Sequence, residues 1–345
     1  FSGKLGAVNL TFLPKFNVFE GTTGKSLKVG HDISLTSSGR LDVSVGSSTA
    51  LVGSLTLFGS TLQTVSSDGT GLIGGTVTAT GTTNTTNVIS QLVVTNTSTA
   101  TPNIDWKLNN VRFKNRLVLS TGRVKLGSNK VIIGNYNNMF NTNMVSPLGT
   151  GFIGGTIARW FPNTALGDAI NPGIDYNPAT DVLFPALSAT GKSRWAYIVT
   201  PAGTTAGELS ITYTDATTIT TGLSIADGAT TVTNRYNGNW TIAKDATYAN
   251  TNATFSFGVY AEDAYEIIDG SSRLLNLNAA MPGAHNNGTN TPFVSRTGLT
   301  LANLTAAPIY VGANISAIQA AVTATSVKTG NWNDATVWSS NVVPG

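Results

Sequence analysis

Cysteine is absent from the 345-residue chain. That excludes a disulfide framework and any cysteine-ligated metal site. Glutamate is scarce too, occurring only at Glu20, Glu208, Glu262 and Glu266. Charged residues make up 11 % of the chain, against roughly 25 % in ordinary globular proteins. Long helices need Ala, Leu, Glu, Lys, Gln or Arg on their faces, so this scarcity argues against them. No apolar run approaches the ~18 residues of a membrane-spanning helix, and no secretory signal peptide is visible. Histidine, the usual acid–base and metal residue near neutral pH, occurs only at His31 and His285.

Thr, Ser, Asn and Gly fill the space that charge leaves. They are polar, uncharged, and suited to strand surfaces and turns. Hydrophobic residues make up 41 %, enough for a packed core, and the length suits about two domains. The net charge is +3, with one basic cluster: Lys107, Arg112, Lys114, Arg116, Arg123, Lys125 and Lys130. Nucleic-acid binding would need exposed aromatics interleaved with such a patch. The expected arrangement is instead an alternating strand face that points its charges to water. An anionic glycan or lipopolysaccharide partner stays open for it.

The pattern along the chain is all-β. Between about residues 5 and 160, short clusters alternate apolar and polar residues: Leu27–Val29, Ile33–Leu35, Leu41–Val45, Leu55–Leu57, then Leu62. Period two marks strands, and spacing this tight suits a solenoid with brief strands in each coil. Further clusters follow at Val88–Ile89, Leu92–Val94, Ile104–Leu108, Val111–Phe113, Leu117–Leu119, Val124–Leu126 and Val131–Ile133. Gly69–Val77 (GTGLIGGTV) recurs as Gly149–Ile157 (GTGFIGGTI), which points to internal repetition with Gly at tight corners. Residues 161–185 carry Pro162, Pro172, Pro178 and Pro185, a density that blocks a continuous ladder. Longer aromatic-bearing strands follow, at Arg194–Val199, Glu208–Tyr213, Asn239–Ile242, Thr254–Tyr260 and Pro308–Val311, as expected of two packed sheets. The expected division is therefore a β-helix-like solenoid over 1–160, a Pro-rich loop over 161–185, and a β-sandwich over 186–325. A segment over 326–345 begins a further unit. The opening Phe1–Leu5 resembles the middle of a strand–turn pattern, so further residues are expected upstream.

The closing stretch, Thr329-Gly330-Asn331-Trp332-Asn333-Asp334 to Trp338 and Val343-Pro344-Gly345, resembles the opening of a repeat unit in very large secreted proteins of the Bacteroidota. Asn234-Arg235-Tyr236-Asn237-Gly238-Asn239-Trp240-Thr241-Ile242 looks like a sandwich strand of the same units. The resemblance implies a right-handed β-helix-like stretch followed by a sandwich, on a cell-surface or secreted protein exported by the type IX system and serving adhesion or gliding. The sorting domain of that route is not in this sequence. No Asp-Ser or Asp-Thr pair occurs, so the O-glycosylation motif common in that phylum is missing.

Candidate chemistry is sparse. His31-Asp32 reads as a solvated turn pair between two strands, and His285 lies in a loop without a carboxylate close in sequence. A polysaccharide-degrading β-helix enzyme needs clustered carboxylates, whereas Glu20, Asp32, Asp42, Asp68 and Asp105 are isolated. The densest acidic stretch, Glu262, Asp263, Glu266 and Asp269, offers oxygen ligands suited to calcium; no other cofactor is expected. Nucleotide-binding, hydrolase and zinc-protease motifs are missing. These features favour a non-enzymatic extracellular structural protein on the outer cell surface, a segment of a fibre, filament or giant adhesin built by end-to-end repetition. Its expected partners are copies of itself or adjacent repeats of the same chain, with surface glycans possible and nucleic acid not expected. Trp332, Trp338, Val342 and Val343 are its candidate inter-unit contacts. The alternatives are a glycan-binding adhesin module that uses Trp195, Tyr197, Tyr213 or Trp240, although most of these suit a core better, and the β-helix enzyme.

Overall fold

The computed structural model of the chain describes residues 4–5, 10–12, 16–17, 26–35, 39–42, 53–77, 85–134, 143–161, 163–165, 183–261, 270–286, 293–314, 328–331 and 337. It is nearly all β. In the first half the strands are β1 (Lys4–Leu5), β2 (Leu10–Phe12), β3 (Phe16–Asn17), β4 (Ser26–Val29), β5 (Ile33–Leu35), β6 (Arg40–Asp42), β7 (Ser54–Gly59), β8 (Gln63–Ser67), β9 (Leu72–Ile73), β10 (Gly75–Val77), β11 (Thr85–Asn96), β12 (Ile104–Trp106), β13 (Val111–Val118), β14 (Arg123–Ile133), β15 (Asn143–Val145) and β16 (Gly151–Phe161). The second half holds β17 (Leu183–Phe184), β18 (Ala186–Leu187), β19 (Ala196–Val199), β20 (Gly207–Thr214), β21 (Ile219–Thr220), β22 (Ile225–Asp227), β23 (Thr230–Val232), β24 (Asn234–Lys244), β25 (Phe255–Tyr260), β26 (Arg273–Asn276), β27 (Ala279–Ala280), β28 (Ala284–His285), β29 (Phe293–Leu299) and β30 (Ile309–Ala313). The one described helix, α1 (Leu301–Thr305), is a single turn capped by Thr300 and Asn303, which bond each other's backbone N–H reciprocally.

The first half is a stack of parallel ladders. One runs β1–β4–β7–β11–β13–β15, with Leu27, Leu55, Leu92 and Leu117 in register. A second runs β2–β5–β8–β12–β14–β16–β18 and aligns Ile33, Val65 and Trp106, then Ile104, Val124, Phe152 and Ala186. A third joins β3, β6 and β9. The chain alternates between the first two ladders through short corners, so each pass stacks on the one before. Parallel strands cannot be joined by a hairpin, and the alternation between ladders is consistent with that. The aligned apolar side chains point inward and are buried, each stabilising by about 1.5–3 kcal/mol relative to exposure.

Three pairs of expected clusters prove to be single long strands. Val88–Ile89 and Leu92–Val94 both lie on β11, Val111–Phe113 and Leu117 on β13, and Val124–Leu126 and Val131–Ile133 on β14. These strands bend mid-way at register shifts and contribute one half to each of two ladders. The outer halves align Ile89, Phe113, Ile133 and Arg159. Leu62, expected within a strand cluster, instead sits in the β7–β8 turn with 47 % of its surface exposed. The two GTG-IGGT copies are not equivalent. Ile73 pairs with Leu41 in the third ladder, whereas Ile153 pairs with Lys125 in the second. They share a glycine of positive φ at one equivalent position, Gly74 at 99° and Gly154 at 64°.

Strand β16 belongs to both halves of the molecule. Its Ile157 pairs in parallel with Val131 and antiparallel with Ile211 of β20. From β20 the sheet continues antiparallel through β24, β30, β26 and β27. A separate five-stranded antiparallel sheet, β17–β19–β25–β29–β28, accompanies it. One hydrophobic cluster runs from Leu27 to Ala313 and takes in residues of both halves. Among the described residues, sheet and core continue past residue 160, and β18 extends the second ladder from beyond the 161–185 segment.

Candidate functional site

The polar side chains that the fold buries serve backbone corners and ion pairs. At the corner between the first two ladders, Gln63, Asn96 and Asn103 form a buried amide ladder. Gln63 Nε2 donates to Val29 O at 3.1 Å and His31 O at 2.9 Å. Asn96 Nδ2 donates to Gln63 Oε1 at 2.8 Å and Thr61 O at 2.7 Å, and Asn96 Oδ1 accepts from Ser98 N at 2.8 Å. Asn103 Nδ2 reaches Asn96 O and Thr121 O, while its Oδ1 accepts from Arg123 N. Corner carbonyls have no strand partner, and leaving them buried and unpaired costs free energy. Asn96→Ala is expected to lower unfolding stability by about 1–3 kcal/mol. A urea titration of the variant checks this, with loss of the denaturant midpoint and no change in its slope.

A second assembly crosses the seam at β16. Glu208 on β20 takes a hydrogen-bonded ion pair from Arg112 Nη2 of β13, and Lys130 Nζ of β14 lies 2.7 Å from its Oε2. Arg112 Nη1 also donates to Gly134 O at 3.0 Å. This corrects the expectation of a solvated basic face. Lys107, Arg116 and Lys125 are exposed, but Arg112 and Lys114 are buried. Burial lowers the basicity of the Lys114 amine. Alternation along β13 turns Arg112 away from Val111 and Phe113, but that direction leads to Glu208 rather than to solvent.

A third assembly closes the far side of the antiparallel region. Asp227, at the end of β22, accepts from Arg296 Nη1 at 2.6 Å and Nη2 at 3.1 Å, and Arg273 Nε lies 3.3 Å away. Arg273 is on β26 and Arg296 on β29, so one carboxylate binds strands of both sheets. Burial alone would raise the Asp227 carboxyl, but the Arg296 hydrogen bonds and the charges of Arg296 and Arg273 outweigh it and hold it low. A fourth group surrounds buried Arg194, whose Nε donates to Tyr213 Oη at 3.2 Å. Tyr213 Oη also contacts Tyr236 Oη and Asp215. Burial first, then Tyr236 and Asp215, push the Tyr213 phenol up despite the opposing Arg194 charge. Gly238 is required there, because a Cβ would stand 2.4 Å from the Tyr236 ring and 2.5 Å from Tyr213 Oη.

The candidates from sequence fall differently. His31 is exposed in its turn, and Asp32 Oδ1 accepts from Thr64 N of the next coil at 2.6 Å, a corner brace. Trp195, Tyr197, Tyr213 and Trp240 are all buried in the core and offer no exposed aromatic platform for a sugar. Glu262, Asp263, Glu266 and Asp269 lie outside the described residues, as do Trp332, Trp338, Val342 and Val343. Near the latter, Val337 is buried, and a Cβ on Gly330 would meet it at 2.5 Å. Among the described residues no group of three or more His, Asp or Glu side chains is placed to hold a metal ion, and no described helix is long and apolar enough to cross a membrane. Sequence reasoning missed Glu208, Asp227 and the amide ladder. No protein-family model matches the chain, and no curated protein or solved structure matches it either.

Proposed function

We propose that the chain is a structural segment of an extracellular fibre, filament or giant adhesin, non-enzymatic, with a β-helix-like solenoid leading into a β-sandwich. The observation that supports this reading is the sheet that continues through β16, joining the parallel ladders to the antiparallel region. The buried arginines support it as well, since they are spent on ion pairs and backbone carbonyls. Edge geometry supports a lengthwise contact. The antiparallel edges β17, β21, β27 and β28 are two residues long, and short edges resist sideways strand pairing. The parallel ladders behave otherwise: β1, β2 and β3 each pair on one side only among the described residues. A coil of another copy, or of an adjacent repeat, fits there by strand addition, and Trp332, Trp338, Val342 and Val343 would supply contacts at the other end.

Electron micrographs of the purified chain, with sedimentation at increasing concentration, test the reading. Linear rods with a repeat of one chain are expected, and removal of 326–345 is expected to abolish them. A chain that stays monomeric while binding a glycan array tightly would overturn it.

A further inference from the structure

We propose that the segment from Pro282 to Asn286, which carries β28, is an acid-released cover of the β29 edge, with His285 as the proton acceptor that releases it. The inference is independent of the assembly reading.

Among the described residues, the segment is held mainly against β29. Ala284 and His285 pair with Thr297 and Arg296 of β29, and Asn286 N donates to Ser295 O at 3.0 Å. Arg296 clamps its other end: Nε donates to Pro282 O at 3.1 Å and Nη2 to Gly283 O at 2.9 Å. Gly283 sits at φ 83°, and a Cβ there would lie 2.3 Å from Thr297 O, so the close approach to β29 depends on glycine. Ala284 is exposed and the strand is only two residues long. Segments this short and exposed open at low free-energy cost.

His285 is the titratable group of the segment. It faces Arg296 on β29, Arg273 on β26 and Asp227 at the end of β22. Two guanidiniums and one carboxylate already leave a net positive surround, and the one carboxylate is engaged by both arginines. The His285 Nδ1 is buried and has no hydrogen-bond partner among the described residues. Burial first, then Arg273 and Arg296 against the opposing Asp227, hold the imidazole down to about 4, compared with about 6.5 in water. In the released segment His285 returns to water and its ordinary value. The released form therefore binds more protons than the closed form between about pH 6.5 and about pH 4, and release grows as pH falls through that window. Above it the cover stays closed; below it the effect saturates. His285 is only half-buried, so solvent screening trims the effect to about tenfold in the opening equilibrium.

Hydrogen exchange on the intact chain, corrected for intrinsic rates, tests this at the Asn286 amide. The expected result is an opening constant about tenfold larger at pH 4.5 than at pH 7, with the amides of β24 unchanged. His285→Gln, polar but without a titrating ring, is expected to abolish that dependence while Asp227 is still intact. The imidazole resonance of His285, identified by its persistence in His31→Gln, is expected to titrate near 4. A His285 midpoint near 6.5, or the same pH dependence in His285→Gln as in the unaltered chain, would overturn the proposal.

Discussion

Trp240→Ala is expected to lower the stability of the chain by about 3–5 kcal/mol. Trp240 is fully buried on β24, opposite Tyr213 of β20. Its ring packs 5.1 Å from that of Tyr213, and its Nε1 donates to Arg194 O at 2.8 Å. Alanine removes the whole ring and leaves a cavity beside the strands of Leu209, Ile211 and Ile242, which cannot collapse without breaking the ladder. It also removes the hydrogen bond to Arg194 O, which adds about 1 kcal/mol. Against a total stability of about 5–15 kcal/mol, the variant is expected to be marginal at 37 °C. Urea unfolding followed by far-ultraviolet circular dichroism checks it. Trp240→Phe, which keeps most of the ring but not the hydrogen bond, is expected to recover more than half the loss.

Glu208→Ala is expected to cost about 3–5 kcal/mol, for a different reason. The exposed ion pair of Lys107 with Asp105, 3.0 Å apart with the lysine 59 % exposed, contributes at most about 1 kcal/mol. Glu208 differs because its Arg112 partner is almost fully buried. Removing the carboxylate strands that guanidinium in the protein interior without a counter-charge. Lys130 is about one-third exposed and can turn to water, so most of the cost falls on Arg112. The double variant Glu208→Ala, Arg112→Met is therefore expected to be more stable than Glu208→Ala alone. A double-mutant cycle by urea titration measures the coupling. If the single and double variants lose equal stability, Arg112 does not depend on Glu208.

The β class and many strands were legible because alternation at Leu27–Val29, Ile33–Leu35 and Leu55–Leu57 is a local property, and the structure pairs those residues in register. The bends of β11, β13 and β14 were not legible. A mid-strand register shift interrupts alternation and imitates a turn between two strands. The burial of Arg112 and Lys114 was hidden for a related reason: alternation shows which way a side chain points but not what lies there. The amide ladder has no fixed sequence period, since the corners between the first two ladders differ in length, as between Gly59 and Gln63 and between Asn96 and Ile104. Asp227 gave no signal because its two arginines, Arg273 and Arg296, come much later in the chain and meet it only through the packing of two sheets.

One sheet and one core run through β16, so the parallel ladders and the antiparallel region are expected to unfold together. Hydrogen exchange across a urea series measures this directly. Amides of β8, β12 and β14 are expected to lose protection at the same urea concentration as those of β20, β24 and β25. Two well-separated transitions, one for each set of strands, would contradict a single cooperative body.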